Sequence, residues 1–286
     1  MATNVQISNH YNGTVKIKFY PDSHRYQLDG RRDFLIGVTT ATGKLDKSNQ
    51  LLIWAERLVK SHLLKAINEG RPVDEELINE AIEQRKIRLE EAATIGSLVH
   101  GWAEQFIKKM NPAVPEDPRV KNGVVAFLRW IRENDVKFTA SEVRIFSKKH
   151  EYVGTMDTVF TMGREDHKIL HAGDFKTGSG IYIDQAFQVS AYQQAHNEEH
   201  GTEFGSKWIL RFFKEDKFDD DGTIKQRAGD FEAKEFDLEE HEGHFKGFLG
   251  LLEVKKQDKV WEAKHGFYSK KKAFPIKAAK FKKVEA

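Results

Sequence analysis

Gly154-Thr155-Met156-Asp157 and Gly173-Asp174-Phe175-Lys176-Thr177-Gly178 set the frame for the rest of the chain. Each sits in a run rich in β-formers, Tyr152 to Met162 and Lys168 to Lys176, and Arg164-Glu165-Asp166-His167 between them has turn chemistry. If those four residues form the loop, the strands pair as an antiparallel hairpin in which paired residue numbers add to 331. Asp157 then lies opposite Asp174, with Cβ atoms roughly 5 Å apart. Lys176 shares their face and Phe175 points the other way, into a core. Two opposed carboxylates repel, and burial worsens the repulsion. Lys176 relieves part of it, and a divalent cation relieves more. Carboxylate oxygens from two strands make a hard, open site suited to Mg²⁺ or Mn²⁺. The alternative for Asp174-Phe175-Lys176 alone is an ordinary surface ion pair on a strand.

The chain has 286 residues, enough for one elaborated domain, or one domain with a helical insertion. No apolar run approaches the roughly 20 residues of a membrane helix. Met1-Ala2-Thr3-Asn4-Val5-Gln6 lacks the layout of a signal peptide. There is no cysteine, hence no disulfide, thiolate zinc site or cysteine-held Fe–S cluster. An intracellular protein is expected, in the cytoplasm or nucleoid, with no membrane partner. The net charge is +2, but Lys264 to the end holds eight Lys and one Glu, which is +7 and leaves the body at −5. A basic tail on an acidic body grips a polyanion locally, or simply serves solubility.

In order, Gly13 to Tyr20 alternates as a half-exposed strand, Arg25 to Leu28 reads as a second and Phe34 to Thr39 as a third, together a small N-terminal β-element. Leu51 to Asn68 carries a helical apolar pattern, with helix-start chemistry at Asp46 to Asn49. Pro72 to about Met110 is helical, read as two helices with a junction at Thr94-Ile95-Gly96-Ser97. His100 and Glu104, four apart, share a helix face; a satisfied core or surface histidine is the plainer reading of His100. After a Pro-containing connector, Arg119 to Asn134 is a helix and Val136 to Ser147 a strand bearing Glu142. Beyond the hairpin come a helix over Tyr182 to Glu199, a strand over Lys207 to Lys214, an acidic loop over Glu215 to Asp230, an edge strand over Phe231 to Phe236 and a helix over Leu238 to Lys256. The fold class is α/β (α+β), a mixed central sheet flanked by helices. The expected division is 1–45 as the N-terminal β-element packed on the core, 46–258 as the main domain with a helical N-terminal part, and 259–286 as the basic tail.

This order resembles the PD-(D/E)XK nuclease superfamily, with its restriction-endonuclease-like core, and within it the stand-alone phage and organellar members of the RecB-like exonuclease branch. The matching residues are Gly96-Ser97-Leu98-Val99-His100, Glu142, Gly154-Thr155-Met156-Asp157, Asp174-Phe175-Lys176 and Gln188-Val189-Ser190-Ala191-Tyr192, preceded by His24-Arg25-Tyr26, Gly37-Val38-Thr39-Thr40 and Trp54-Ala55. The resemblance covers roughly residues 22 to 215. The absence of cysteine sets the chain apart from relatives with an Fe–S cluster. The resemblance implies that His100, Asp157, Asp174 and the Phe175 backbone carbonyl ligate one or two Mg²⁺ or Mn²⁺ ions. It implies that Lys176 positions or deprotonates the attacking water, or stabilises charge on phosphorus. Gln188 and Tyr192 would support the site and contact DNA, and Glu142 would be an outer ligand or a structural partner.

The expected activity is a metal-dependent DNA exonuclease of recombination, repair or degradation, with DNA (single-stranded or duplex ends) as substrate and a recombination or single-strand-binding protein as possible partner. A structure-specific or restriction-like endonuclease, a catalytically inactive DNA-binding module and a hydrolase of RNA are the alternatives. Lys270, Lys271 and Lys272 with Phe274, and Arg211-Phe212-Phe213, have the basic and aromatic composition of single-strand binding. Trp102 could stack on a base; for it, as for Trp54, Trp130 and Trp208, core packing is the plainer reading.

Overall fold

A computed structural model describes residues 4–163, 169–214, 216–218, 223–227 and 229–266. The turn at 164–167 and the lysines at 270–272 therefore lie outside the described residues. The N-terminal alternation does give a three-stranded sheet, but its third member is Gln6–His10 rather than the segment Phe34 to Thr39. β1 (Gln6–His10), β2 (Val15–Tyr20) and β3 (Arg25–Leu28) pair antiparallel in that order. The segment expected as a third N-terminal strand is two residues of β4 (Ile36–Gly37) followed by α1 (Val38–Thr42). β4 belongs to the central sheet, where it pairs parallel with β6 (Tyr152–Thr161).

Then come α2 (Ser48–Asn68), α3 (Glu75–Ile107) and α4 (Pro118–Glu133). α3 is a single helix of 33 residues, so the expected junction at Thr94 to Ser97 is corrected. Thr94 and Ser97 return their hydroxyls to the carbonyls of Glu90 and Ala93, at 2.9 and 3.0 Å, and so satisfy themselves within the helix. Gly96 is there for space rather than for a break: a Cβ would sit 3.3 Å from Thr177 Oγ1. Asp74 caps the helix by accepting from the Leu77 N–H at 2.9 Å.

The central sheet adds β5 (Lys137–Ser147), β7 (Leu170–Lys176), β8 (Phe204–Phe212) and β11 (Phe231–Phe236). Its order is β11-β8-β7-β6-β4, with β5 on the other edge of β6. β7 and β8 run parallel, joined through α5 (Ile183–His200), and the remaining pairs apart from β4 are antiparallel. The stretch expected as an acidic loop includes a short ribbon, β9 (Lys217–Phe218) with β10 (Ile224–Gln226). α6 (His241–His265) closes the described chain and runs well past Lys256. No described helix is long and apolar enough to cross a membrane.

Two apolar clusters hold the layers. α5, α6 and α1 cover one part of the sheet through Tyr152, Met156, Ala191, Tyr192, Phe204 and Phe248. α3 and α4 cover the opposite side through Val99, Phe127, Phe160, Phe175, Leu210 and Phe212. Trp102 is buried here, stacked on Phe106 at 5.2 Å with its indole N–H on the Ala113 carbonyl at 3.0 Å. It is a core residue and is withdrawn as a base-stacking platform. Phe212 is likewise buried in this cluster.

Candidate functional site

The register of the hairpin is as the sequence indicates. Thr158 pairs with Gly173, Val159 with Ala172 and Phe160 with His171. Pairing stops there, one step before Asp157 and Asp174. β4 occupies the same edge of β6 only at Tyr152 and Val153, so residues 154–157 line a gap between two partner strands. β7 meanwhile continues alongside β8 as far as Lys176. At the fork the Asp157 carboxylate replaces the missing ladder bond, accepting the Phe175 N–H at 2.7 Å.

Each carboxylate is tied to a helix on a different side. Asp174, 1% exposed, accepts from the Gln188 side chain at 2.9 Å, and the same amide contacts the Tyr192 hydroxyl at 2.9 Å. Asp157, 13% exposed, lies 3.5 Å from the His100 ring on α3. Lys176 forms an ion pair with Asp174 Oδ2, a buried oxygen with no further hydrogen bond among the described residues. The His100 ring meets the Phe175 ring edge-on at 5.9 Å, and the Phe175 side chain fills the core between Phe127 and Phe212. His100, Asp157, Asp174, Lys176 and the Phe175 backbone thus line the same fork, linked pairwise.

Glu142 stands on β5 between the pairs Ser141–Thr158 and Val143–Met156, which places it across from Asp157. It holds φ at +52° in mid-strand, a conformation uncommon outside turns for a residue with a side chain. Glu104 on α3 is engaged by Lys108 in an ion pair one turn along.

The charges are out of balance. Burial pushes the Asp157 carboxyl well above the usual carboxylate range, and Asp174 and Glu142 add to the shift against Lys176 and the Phe175 N–H. Burial, then Glu104, raises Glu142 as well. Burial also works against the Lys176 charge, but Asp174 and Asp157 outweigh it and hold the ammonium above the ordinary lysine value. Burial lowers His100, which favours the neutral imidazole. Tyr192 stays a phenol, raised by burial and then by Asp174 and Asp157. Two repelling carboxylates, a neutral imidazole and a backbone carbonyl form an oxygen-rich donor set that fits a hard divalent cation. As the side chains stand, no three His, Asp or Glu among the described residues converge on one point.

No family model matches the chain, and no curated protein matches it. Solved structures do. An alkaline exonuclease (LHK-Exo) from Laribacter hongkongensis matches with a TM-score of 0.32 and 11% identity over 80% of this chain and 93% of its own. The same exonuclease in complex with dAMP matches at 0.33, with 11% identity and the same coverage. The protein SSO0001 matches at 0.30 and 12% identity over 84% of this chain and 100% of its own.

The sequence assigns no role in the site to several of its supports. The Tyr26 hydroxyl bonds Thr155 Oγ1 at 2.8 Å, fixing the N-terminal sheet to the open part of β6. Asp184 at the start of α5 pairs with Lys47 at 2.6 Å and adds to the field on Lys176. Gly154 packs against the Tyr192 ring. A Cβ there would lie 2.7 Å from the Tyr192 ring and 3.3 Å from Val38. Gly154→Ala is expected to destabilise the fold by about 1–3 kcal/mol, read as a fall in Tm of about 2–4 °C per kcal/mol. Gln188→Ala leaves the buried Asp174 Oδ1 and the Tyr192 hydroxyl without this partner. Its expected cost is about 1–3 kcal/mol of stability, measured by denaturant melts.

Proposed function

We propose that the chain is a metal-dependent nuclease that hydrolyses DNA from its ends, in recombination, repair or degradation. The observation that carries this reading is the fork between β6 and β7, which gathers Asp157, Asp174, Lys176 and His100 around a gap in the sheet. A surface ion pair needs neither the burial of Asp174 nor a second carboxylate beside it. Mg²⁺ or Mn²⁺ held by Asp157, Asp174, His100 and the Phe175 carbonyl would acidify the attacking water and polarise the phosphate. Lys176 is held charged by its two carboxylates, which favours stabilising the charge that grows on the phosphoryl oxygens over acting as a base. Gln188 orients Asp174, and Tyr192 orients Gln188. Glu142, across the strand from Asp157, acts as an outer acid that draws the cation inward. The basic tail, with Lys270, Lys271 and Lys272, would grip the phosphate backbone.

The reading is tested with linear and covalently closed DNA of one sequence, beside matched RNA. Loss of the linear DNA alone supports an exonuclease. Cleavage of the closed circle moves the assignment to an endonuclease, and a preference for RNA changes the substrate class. Imidazole favours Mn²⁺ over Mg²⁺ as a partner. His100→Ala is therefore expected to lose Mn²⁺-supported cleavage by about tenfold or more. Metal titrations in which the variant matches the wild type with Mn²⁺ would remove His100 from the ligand set.

A further inference from the structure

The arm made by α2 and the first half of α3 takes no part in the site. α2 is 21 residues long and buries only Ala66. It packs against α3 and has no comparable packing with any other described element. Helices of this kind are held by an apolar face packed against something. Much of that face is bare: Leu64 is 49%, Ile67 47%, Ile78 44% and Ile82 57% exposed. A groove of about 670 Å³ runs between the two helices, lined by Val59, Leu63, Leu64, Ile67 and Ile82 among others. A groove lined by bare apolar side chains is a candidate contact surface.

The charges flanking it indicate what covers it. α2 presents a basic row, Arg57, Lys60 and Lys65. α3 presents an acidic row, Glu75, Glu76 and Glu83. Each row spans eight helical steps, about 12 Å. Among the described residues Arg57, Lys60 and Glu83 enter no ion pair within their own chain, and Glu76 feels only the field of Arg71, whose close partner is Glu80. Glu80, in the same acidic row, is instead taken by Arg71 at 2.9 and 3.1 Å. We infer that the arm is a self-complementary interface between two copies of this chain, each copy laying α2 along α3 of the other. The apolar grooves would then face each other, with Arg57 and Lys60 of one copy against Glu76 and Glu83 of its partner. Two-fold pairing satisfies both rows at once because each copy carries both. A nucleic acid would be drawn to one row and repelled by the other.

The test is the oligomeric state of the full chain by light scattering and sedimentation, with charge reversals on each row. The wild type is expected to be a dimer. Arg57→Glu with Lys60→Glu, and separately Glu76→Lys with Glu83→Lys, are each expected to weaken dimerisation by about 100-fold or more through like-charge contact. Mixing the two double variants is expected to restore the dimer as a heterodimer, since each then supplies the row the other needs. That rescue separates an interface from a folding defect, and circular dichroism of each variant checks the fold. A wild type that stays monomeric, or variants that remain dimeric, would overturn the inference. A monomer whose Arg57→Glu, Lys60→Glu variant loses DNA affinity would overturn it in favour of a nucleic-acid clamp.

Discussion

Lys176→Ala is expected to slow DNA cleavage by about 10³-fold and to leave DNA affinity within a few-fold of the wild type. Lys176 stands at the end of β7, still paired with Arg211 of β8 but past Gly173, the last residue paired with β6. Its ammonium is the positive group paired with Asp174 in the fork. Removing it leaves a buried carboxylate without its ion pair, so the variant is also expected to be less stable. Lys176→Met keeps most of the aliphatic stem and separates lost packing from lost charge. Single-turnover rates at saturating enzyme report the chemical step, and filter binding reports affinity. Equal rates for wild type and both variants would reduce Lys176 to a structural ion pair.

Asp157→Asn is expected to do two opposite things. Activity falls by at least about 10²-fold, because one carboxylate of the donor set is gone. Stability of the metal-free protein rises. The physical cause lies in the raised Asp157 carboxyl, buried beside Asp174 and Glu142. The folded protein binds that proton more tightly than the unfolded chain does. The stability it confers is complete below the unfolded carboxylate range and is lost as pH rises through the higher folded value. Above the unfolded carboxylate range the wild type must take up a proton or bury a charge its fold disfavours, whereas asparagine is neutral throughout and can still accept the Phe175 N–H. Denaturant melts in EDTA across pH should show the gap between the two proteins widening as pH rises. A variant less stable than the wild type at neutral pH would show that Lys176 already compensates Asp157 fully.

The hairpin was legible because β-periodicity and the spacing of the break set the register, and those local terms agree with the tertiary fold. The gap beside Asp157 was not legible, since it depends on where β4 joins β6, a contact between residues more than a hundred positions apart. Thr94 to Ser97 misled for a related reason. A glycine flanked by hydroxyl residues resembles a helix break, yet the hydroxyls bond back into the helix and Gly96 makes room for Thr177. Trp102 and Phe212 carry composition shared by stacking platforms and cores, and only packing separates the two. The positive φ of Glu142 has no signal in residue type at all.

The most direct measurement is cleavage of end-labelled linear DNA by the wild-type protein with Mg²⁺, with Mn²⁺ and with EDTA. The expected result is metal-dependent release of short labelled products, abolished by EDTA and by Asp174→Asn. Binding of DNA without cleavage under either metal, with RNA equally intact, would contradict a hydrolytic centre at Asp157, Asp174 and Lys176.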